Sequence, residues 1–345
     1  MSYSFVIPCY KSSKSIREVV ESTIQQMDQI GRGPYEFVLV DDHSPDDGAT
    51  LRELKALADD YDCVKVVELA KNSGQHNASM AGLNQAQGDF IISMDDDLQT
   101  RPSQLPKLFD EIEKGYDVVY GYYPEKKHSK FRNFGSWVHY ESVRILIGKP
   151  KGMKTSSFFV MRKFVRDHMI EYKEPYTHLQ GLVLRTTRNI SSVPVEHFDR
   201  AYGKSGYTLP KLIKLWANIV GYSVVPLRIA TCLGTIFAAG GFISSIVVII
   251  KKILHPEIIM GWSSLMAVIF FFSGLIMFFL GLIGEYIGRM FLSLSNNPQY
   301  VIREIYTGED SKETKSIESV NASEDETLSV MSNPAEEKNP QESLG

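Results

Sequence analysis

The sequence predicts an α/β domain with a mainly parallel sheet flanked by helices, followed by an interfacial helix and a pair of long apolar helices. Three observations carry this. Short apolar runs alternate with helical periodicities over the first ~120 residues, the pattern of βαβ units. The runs end repeatedly in polar residues: Pro8, Asp41-Asp42 and Asp95-Asp96-Asp97. Two uncharged stretches, 229–250 and 258–284, each exceed the ~20 residues needed to cross a bilayer core.

The chain of 345 residues has a net charge of −4 with an uneven distribution. From Glu309 onward ten acids face three lysines, giving −7 for the tail and leaving +3 for the body. The tail, 308–345, is polar and poor in aromatics, so disorder is expected. Cys9, Cys63 and Cys232 are scattered without metal-ligand spacing and predict free thiols in a reducing compartment. No signal peptide is expected, because a strand at 4–7 occupies the N-terminus.

In order, 4–7 reads as a strand that Pro8 should stop, since proline cannot donate to a ladder. Residues 15–30 carry apolar side chains at helical spacing, and 37–40 form the next strand. A helix over 49–60, a strand over 64–69 and a helix over 78–86 follow. The run 90–94 is a buried strand opening onto Asp95, Asp96 and Asp97. Three adjacent carboxylates repel one another, a cost that a divalent cation with its preference for oxygen ligands would offset. An acidic solvated loop is the competing reading. A helix over 102–114 and a strand over 117–120 complete the regular part, and 122–205 has no clear pattern. Lys126, Lys127, Lys130 and Arg132 form a basic cluster there, either a solvated face or a phosphate site.

Residues 207–222 place Leu209, Leu212, Ile213, Trp216, Ile219 and Val220 on one helical face, as an amphipathic helix in a membrane interface would. The short connection 251–257 makes the two spans a hairpin, with glycines that allow close helix approach. Flanking cations favour a cytoplasmic catalytic domain in a multi-pass protein of the cell (inner) membrane. The expected domains are 1–206, 207–223, 224–290, a cytoplasmic segment 291–307, and the tail.

Several ordered motifs together carry a resemblance. Val6-Ile7-Pro8-Cys9-Tyr10, Asp41 to Asp46, Asn72 to Ala78 and Asp95 to Gln99 resemble those of glycosyltransferase family 2. Arg200 to Tyr207, the two apolar helices, Gly284 to Arg289 and Pro298-Gln299-Tyr300 narrow it to the polyisoprenyl-phosphate group. That group includes dolichol-phosphate mannose synthase, the bactoprenol glucosyltransferases and the undecaprenyl-phosphate aminoarabinose transferase. The resemblance covers about residues 3–306 and implies a GT-A fold.

It further implies inverting transfer of a sugar from a nucleotide sugar, UDP- or GDP-linked, to a polyprenyl (undecaprenyl or dolichyl) monophosphate. Pro8, Tyr10, Asp42, Asp96, Gln99 and Lys204 are then nucleotide-sugar residues. Asp95 and Asp97 would hold Mg²⁺ or Mn²⁺ and count as catalytic together with Arg200, which would contact the donor phosphates. Arg132 and Ser136 match positions near the acceptor phosphate. Tyr122-Tyr123, Gly206 and Ser156-Ser157 depart from relatives, which often carry an arginine, a lysine and a proposed aspartate base there. The membrane is an expected partner, a nucleic acid is not, and a homo-oligomer is left open. A processive polysaccharide synthase is disfavoured because Gln-x-x-Arg-Trp and further apolar helices are missing. A nucleotidyltransferase would need a glycine-rich loop where Pro8-Cys9-Tyr10-Lys11 stands. A catalytically degenerate membrane scaffold predicts loss of aspartates that are present.

Overall fold

The computed structural model describes residues 1–124, 149–150, 152–175, 177–196, 198, 225–254, 261–294 and 297–308. The 207–222 helix, the basic cluster 126–132 and the tail beyond 308 lie outside these residues, as do Arg132, Ser136, Arg200 and Lys204.

Eight strands form one sheet. They are β1 (Tyr3–Cys9), β2 (Tyr35–Asp41), β3 (Val64–Leu69), β4 (Phe90–Ser93), β5 (Val118–Tyr122), β6 (Phe159–Arg162), β7 (Ile190–Pro194) and β8 (Ile302–Thr307). Their order is β7-β5-β6-β4-β1-β2-β3-β8. β6 and β8 run antiparallel to their neighbours, and the remaining pairings are parallel. The chain steps from β1 outward to β2 and β3, then returns to place β4 on the other side of β1. The ends of β1 and β4 therefore flank a topological switch point, where open α/β sheets form their ligand crevice.

The central strands are apolar because both faces are covered. In β1, Phe5, Ile7 and Cys9 pack into one core with α1 (Ile16–Gln29), α2 (Ala49–Asp60) and α4 (Leu105–Ile112). Val6 faces the opposite core, with α3 (Gln75–Gln85), α5 (Lys163–Met169) and α6 (Leu179–Thr186). Phe5 and Phe37 stack at 5.0 Å across β1 and β2, and fully burying each such ring contributes about 1.5–3 kcal/mol. α3 lies close against the sheet at Gly82: a Cβ there would meet Val6 Cγ1 at 2.5 Å and Val40 Cγ2 at 3.0 Å. Alanine at 82 would push α3, and the site residues at its N-terminus, away from β1.

Several boundaries differ from the sequence expectation for identifiable reasons. β1 does not stop at Pro8 but runs to Cys9, paired with β2. Met94 donates to the Val6 carbonyl and Asp42 to the Cys9 carbonyl, so even residues of β1 face β4 and odd ones face β2. The next β1–β4 ladder bond after Val6 opposite Ser93 would need a residue 8 N–H for the Met94 carbonyl, so Pro8 ends the pairing with β4 while that with β2 continues. α3 begins at Gln75, three residues earlier than expected, because Gly74 adopts φ +85 and ends the turn abruptly. The unparsed region contains β6, α5, α6 and β7. β8, at 302–307, was not anticipated as a strand.

α7 (Val225–Leu254) and α8 (Trp262–Leu294) have 30 and 33 residues. Phe237 and Phe272 meet edge to face at 5.8 Å between them. α7 continues through Lys251 and Lys252, which were expected in the connection. Among the described residues, no helix is long and apolar enough to cross a membrane.

Candidate active site

The polar residues that end β1, β2 and β4 converge on one rim. Asp96 ties two of these ends together: its Oδ2 accepts the Tyr10 backbone N–H at 3.1 Å and the Ser12 hydroxyl at 2.5 Å. Ser12 is fixed in turn, its N–H donating to Thr50 Oγ1 at 3.0 Å. The Lys11 N–H donates to Ser44 Oγ at 3.1 Å, and Ser44 Oγ donates to Asp41 Oδ1 at 2.6 Å, which joins the β1 and β2 loops. Lys11, His43 and Leu98 hold φ of 60, 51 and 59, left-handed values that cost a non-glycine residue roughly 1–3 kcal/mol. All three lie within five residues of a strand end on this rim, and the fourth such residue, Asp47 with φ 52, lies further along the loop after β2.

Asp42 is buried, and both its oxygens are engaged by backbone amides: Ser73 N–H at 2.6 Å and Gly74 N–H at 2.9 Å. It holds the turn that launches α3. A carboxylate offers about four lone-pair sites, so capacity remains for a ligand hydroxyl or imide. Burial pushes the Asp42 carboxyl above its usual range, opposed by those two N–H donors. Asp96 is pushed up by the same cause, opposed by Ser12 and Tyr10, and Asp41 likewise, opposed by Ser44. Burial, reinforced by Asp96 and Asp41, keeps the Cys9 thiol protonated.

Asp95 sits at the crevice between two donors. Gln75 Nε2, from the first residue of α3, donates to Oδ1 at 2.8 Å, and Ser157 Oγ donates to Oδ2. Asp97 Oδ1 accepts the Gln99 N–H at 3.1 Å, which closes the acidic loop. The Gln99 carbonyl accepts the Phe198 N–H at 2.9 Å, bringing in the segment just before the expected Arg200. Tyr10 is 47% exposed, the right disposition for a ring that a flat ligand could cover. Tyr123 and Thr100 share a hydroxyl–hydroxyl hydrogen bond beside this loop.

Pro8, Tyr10, Asp42, Asp95, Asp96, Asp97 and Gln99 thus come together on one rim. Two expectations change in character. Asp42 and Asp96 are framework residues that hold backbone groups of other loops, whereas Asp95 is held by side chains from α3 and residue 157, and Asp97 by an amide of its own loop. Ser12, Ser44, Gln75 and Ser157 were not anticipated as partners. Gln75 and Ser44 lay within motifs named above and Ser157 at a position noted as unusual, whereas the Ser12 hydroxyl carried no signal in the sequence.

Among the described residues, no group of three or more His, Cys, Asp or Glu is placed to hold a metal ion. Two carboxylates nonetheless suit Mg²⁺ or Mn²⁺ bound mainly through substrate phosphates and water, as such ions commonly are. The rim also gathers Asp41, Asp42, Asp46, Asp95, Asp96 and Asp97. An anionic ligand approaches such a rim favourably only with a cation between.

Comparison with known proteins agrees with this arrangement. Residues 4–169 match the family model Glycosyl transferase family 2, and 225–290 match the model GtrB C-terminal hairpin. The chain is 33% identical over 309 residues to the undecaprenyl-phosphate 4-deoxy-4-formamido-L-arabinose transferase of Proteus mirabilis (strain HI4320), covering 88% of this chain and 93% of that protein. The protein of the same name from Serratia proteamaculans (strain 568) is 34% identical over 310 residues, with coverage of 88% and 93%. Among solved structures, glucosyl-3-phosphoglycerate synthase from Mycobacterium tuberculosis superposes with a TM-score of 0.45 at 16% identity, over 64% of this chain and 80% of that one. A third of its residues identical to those relatives along nearly nine-tenths of its length, and an acidic crevice where a parallel sheet switches direction, show that the chain is a glycosyltransferase and belongs to glycosyl transferase family 2.

Proposed function

We propose that the protein transfers a sugar, with inversion, from a nucleoside-diphosphate sugar to a polyprenyl monophosphate at a membrane surface. The observation that carries this reading is the rim itself, with Asp95 and Asp97 in the acidic loop that follows β4 and is tied to the end of β1. The relatives named above, whose names specify undecaprenyl phosphate, support the acceptor class. A divalent ion between these carboxylates and the donor diphosphate would supply electrostatic stabilisation of the leaving group. The chain's own residues do the rest. Gln75 and Ser157 orient Asp95. Tyr10 offers its exposed ring to the base, and the spare lone pairs of Asp42 face base or ribose. Arg200 and Lys204 are assigned to the donor phosphates, and Arg132 and Ser136 to the acceptor phosphate. Arginine suits such a role because its planar fork meets two phosphate oxygens at once.

No strong base is needed. A phosphate monoester has a second pKa near ~6, so at pH 7 the acceptor is mostly a dianion and can attack the sugar carbon without losing a proton. The Ser157 hydroxyl, occupied by Asp95, fits a site with no base at that position.

The hairpin is assigned to the membrane. Helices of 30 and 33 residues measure about 45–50 Å at 1.5 Å per residue, more than the ~30 Å hydrocarbon core. The full sequence, including side chains outside the described set, is uncharged over 229–250 and 258–284. Large apolar side chains such as Ile236, Ile243, Ile276 and Met277 are exposed along both helices, as lipid-facing groups would be.

The test is a panel of radiolabelled UDP- and GDP-sugars offered to the purified full chain with undecaprenyl phosphate and Mn²⁺. One donor should yield lipid-extractable label that EDTA abolishes. Label that stays water-soluble with every donor refutes the acceptor assignment.

A further inference from the structure

Gln299 lies five residues past the end of α8 and is buried. Its Nε2 donates to the Glu174 carbonyl at 3.1 Å and to Thr177 Oγ1 at 2.5 Å. Both acceptors belong to the loop between α5 and α6. The same loop meets the N-terminal turn of α3: Asn77 Nδ2 donates to the Pro175 carbonyl at 3.2 Å, and the His178 ring lies 5.5 Å from that of His76. That turn also presents Gln75, which donates to Asp95. One residue beyond Gln299, Tyr300 shares a hydrogen bond with Asn84 of α3, and Lys173 Nζ reaches Asn84 Oδ1 at 3.4 Å. The Ala70 N–H then donates to the Val301 carbonyl at 2.8 Å, and β8 pairs antiparallel with β3.

The exit of the hairpin is thus fastened to the loop that braces α3, with three side chains, Gln299, Asn77 and Gln75, linking it to the Asp95 carboxylate. A buried amide that donates twice into one loop does more than satisfy itself, because it sets where that loop stands against α3. We propose that Gln299 is a positioning residue, a latch through which the seating of the helical hairpin fixes the 174–178 loop, the α3 N-terminus and hence the Gln75–Asp95 pair. The functional half of this inference rests on the role proposed above for Asp95.

Hydrogen–deuterium exchange on the full chain in detergent tests the structural half directly. Gln299→Glu keeps the shape but removes both N–H donors, and Thr177→Val removes one acceptor as a milder second variant. Loss of two hydrogen bonds should weaken protection by about tenfold over 173–178 and also over 73–79, with α1 unchanged. In the transfer assay kcat should fall and the Mn²⁺ concentration for half-maximal rate should rise, with the lipid KM unmoved. Loosening confined to 173–178 and 297–301, or a uniform rise that includes α1, overturns the latch. If wild type labels no lipid, the proposed function fails while the exchange result still decides the latch.

Discussion

Acid should destabilise this protein through the histidine that starts α6, and His178→Asn should reduce that sensitivity. His178 caps the helix, its Nδ1 accepting the Gly181 N–H at 3.0 Å. Burial, then repulsion from His76, pulls its pKa down to about 4 from the ordinary 6.5. The groups facing it are His76, whose own pKa burial lowers, and Lys149, brought down to about 8 by burial. A base depressed in the folded state contributes stability that is intact above 6.5 and is lost as pH falls toward 4, because the unfolded chain takes up the proton first. Between pH 7.5 and 5 the loss assignable to His178 is about 2 kcal/mol. Lys149 changes between 10.5 and 8, outside this window, and His76 acts in the same direction as His178. Asparagine is a good N-cap and keeps an acceptor for Gly181, so stability at pH 7.5 should change by no more than ~1 kcal/mol. Thermal melts of both proteins at pH 7.5 and 5 measure the difference, with rim carboxylates common to both cancelling. Wild type should lose roughly 4–8 °C more than the variant on acidification. Equal losses would show that His178 is no more shielded from protons than in the unfolded chain.

Other outcomes follow from the rim and the edges of the fold. Asp97→Ala should lower turnover by at least ~10²-fold, the scale of removing one preorganised electrostatic element; a near-normal rate in the variant, or in EDTA, would exclude the metal assignment. Ser157→Ala removes one donor to Asp95, so the rate should fall by less than about tenfold with an unchanged pH profile; severe kcat loss with lipid affinity intact would reinstate a base at that position. Truncation after Gly308 should leave transfer intact, since β8 and the close approach of Gly308 to the Ala58 carbonyl are retained; a folded but inactive truncation would assign the tail to substrate handling. Arg303→Ala leaves Glu68, only 9% exposed at its side chain, without the 2.7 Å partner that pins β8 to β3, and should lower the melting temperature by a few degrees; an unchanged melt would show that the backbone ladder alone secures the strand.

Much of this protein was legible in one dimension because its signals are local. An apolar run with β-branched residues must be a covered strand, and Phe37 to Val40 or Val64 to Leu69 needed no partner to be read. The acidic triplet at 95–97 and the aspartates at 41–42 announced a polar rim at the strand ends, since adjacent like charges at a strand end require an explanation wherever they fold. The uncharged runs 229–250 and 258–284 read as long apolar helices, and helices stand there. The tertiary structure alone could decide relations between distant residues. It showed that Pro8 stops only one side of its strand, ending the pairing with β4 while that with β2 runs on to Cys9. It divided the carboxylates by role: Asp42 and Asp96 spend their lone pairs on the backbone of other loops, while Asp95 is oriented by a glutamine 20 residues away and a serine 62 residues away. It also brought β8 back to the edge of β3 and Gln299 to a loop more than 120 residues earlier. Hydrogen bonds of that kind depend on where the chain returns in space, and neither composition nor periodicity encodes that return.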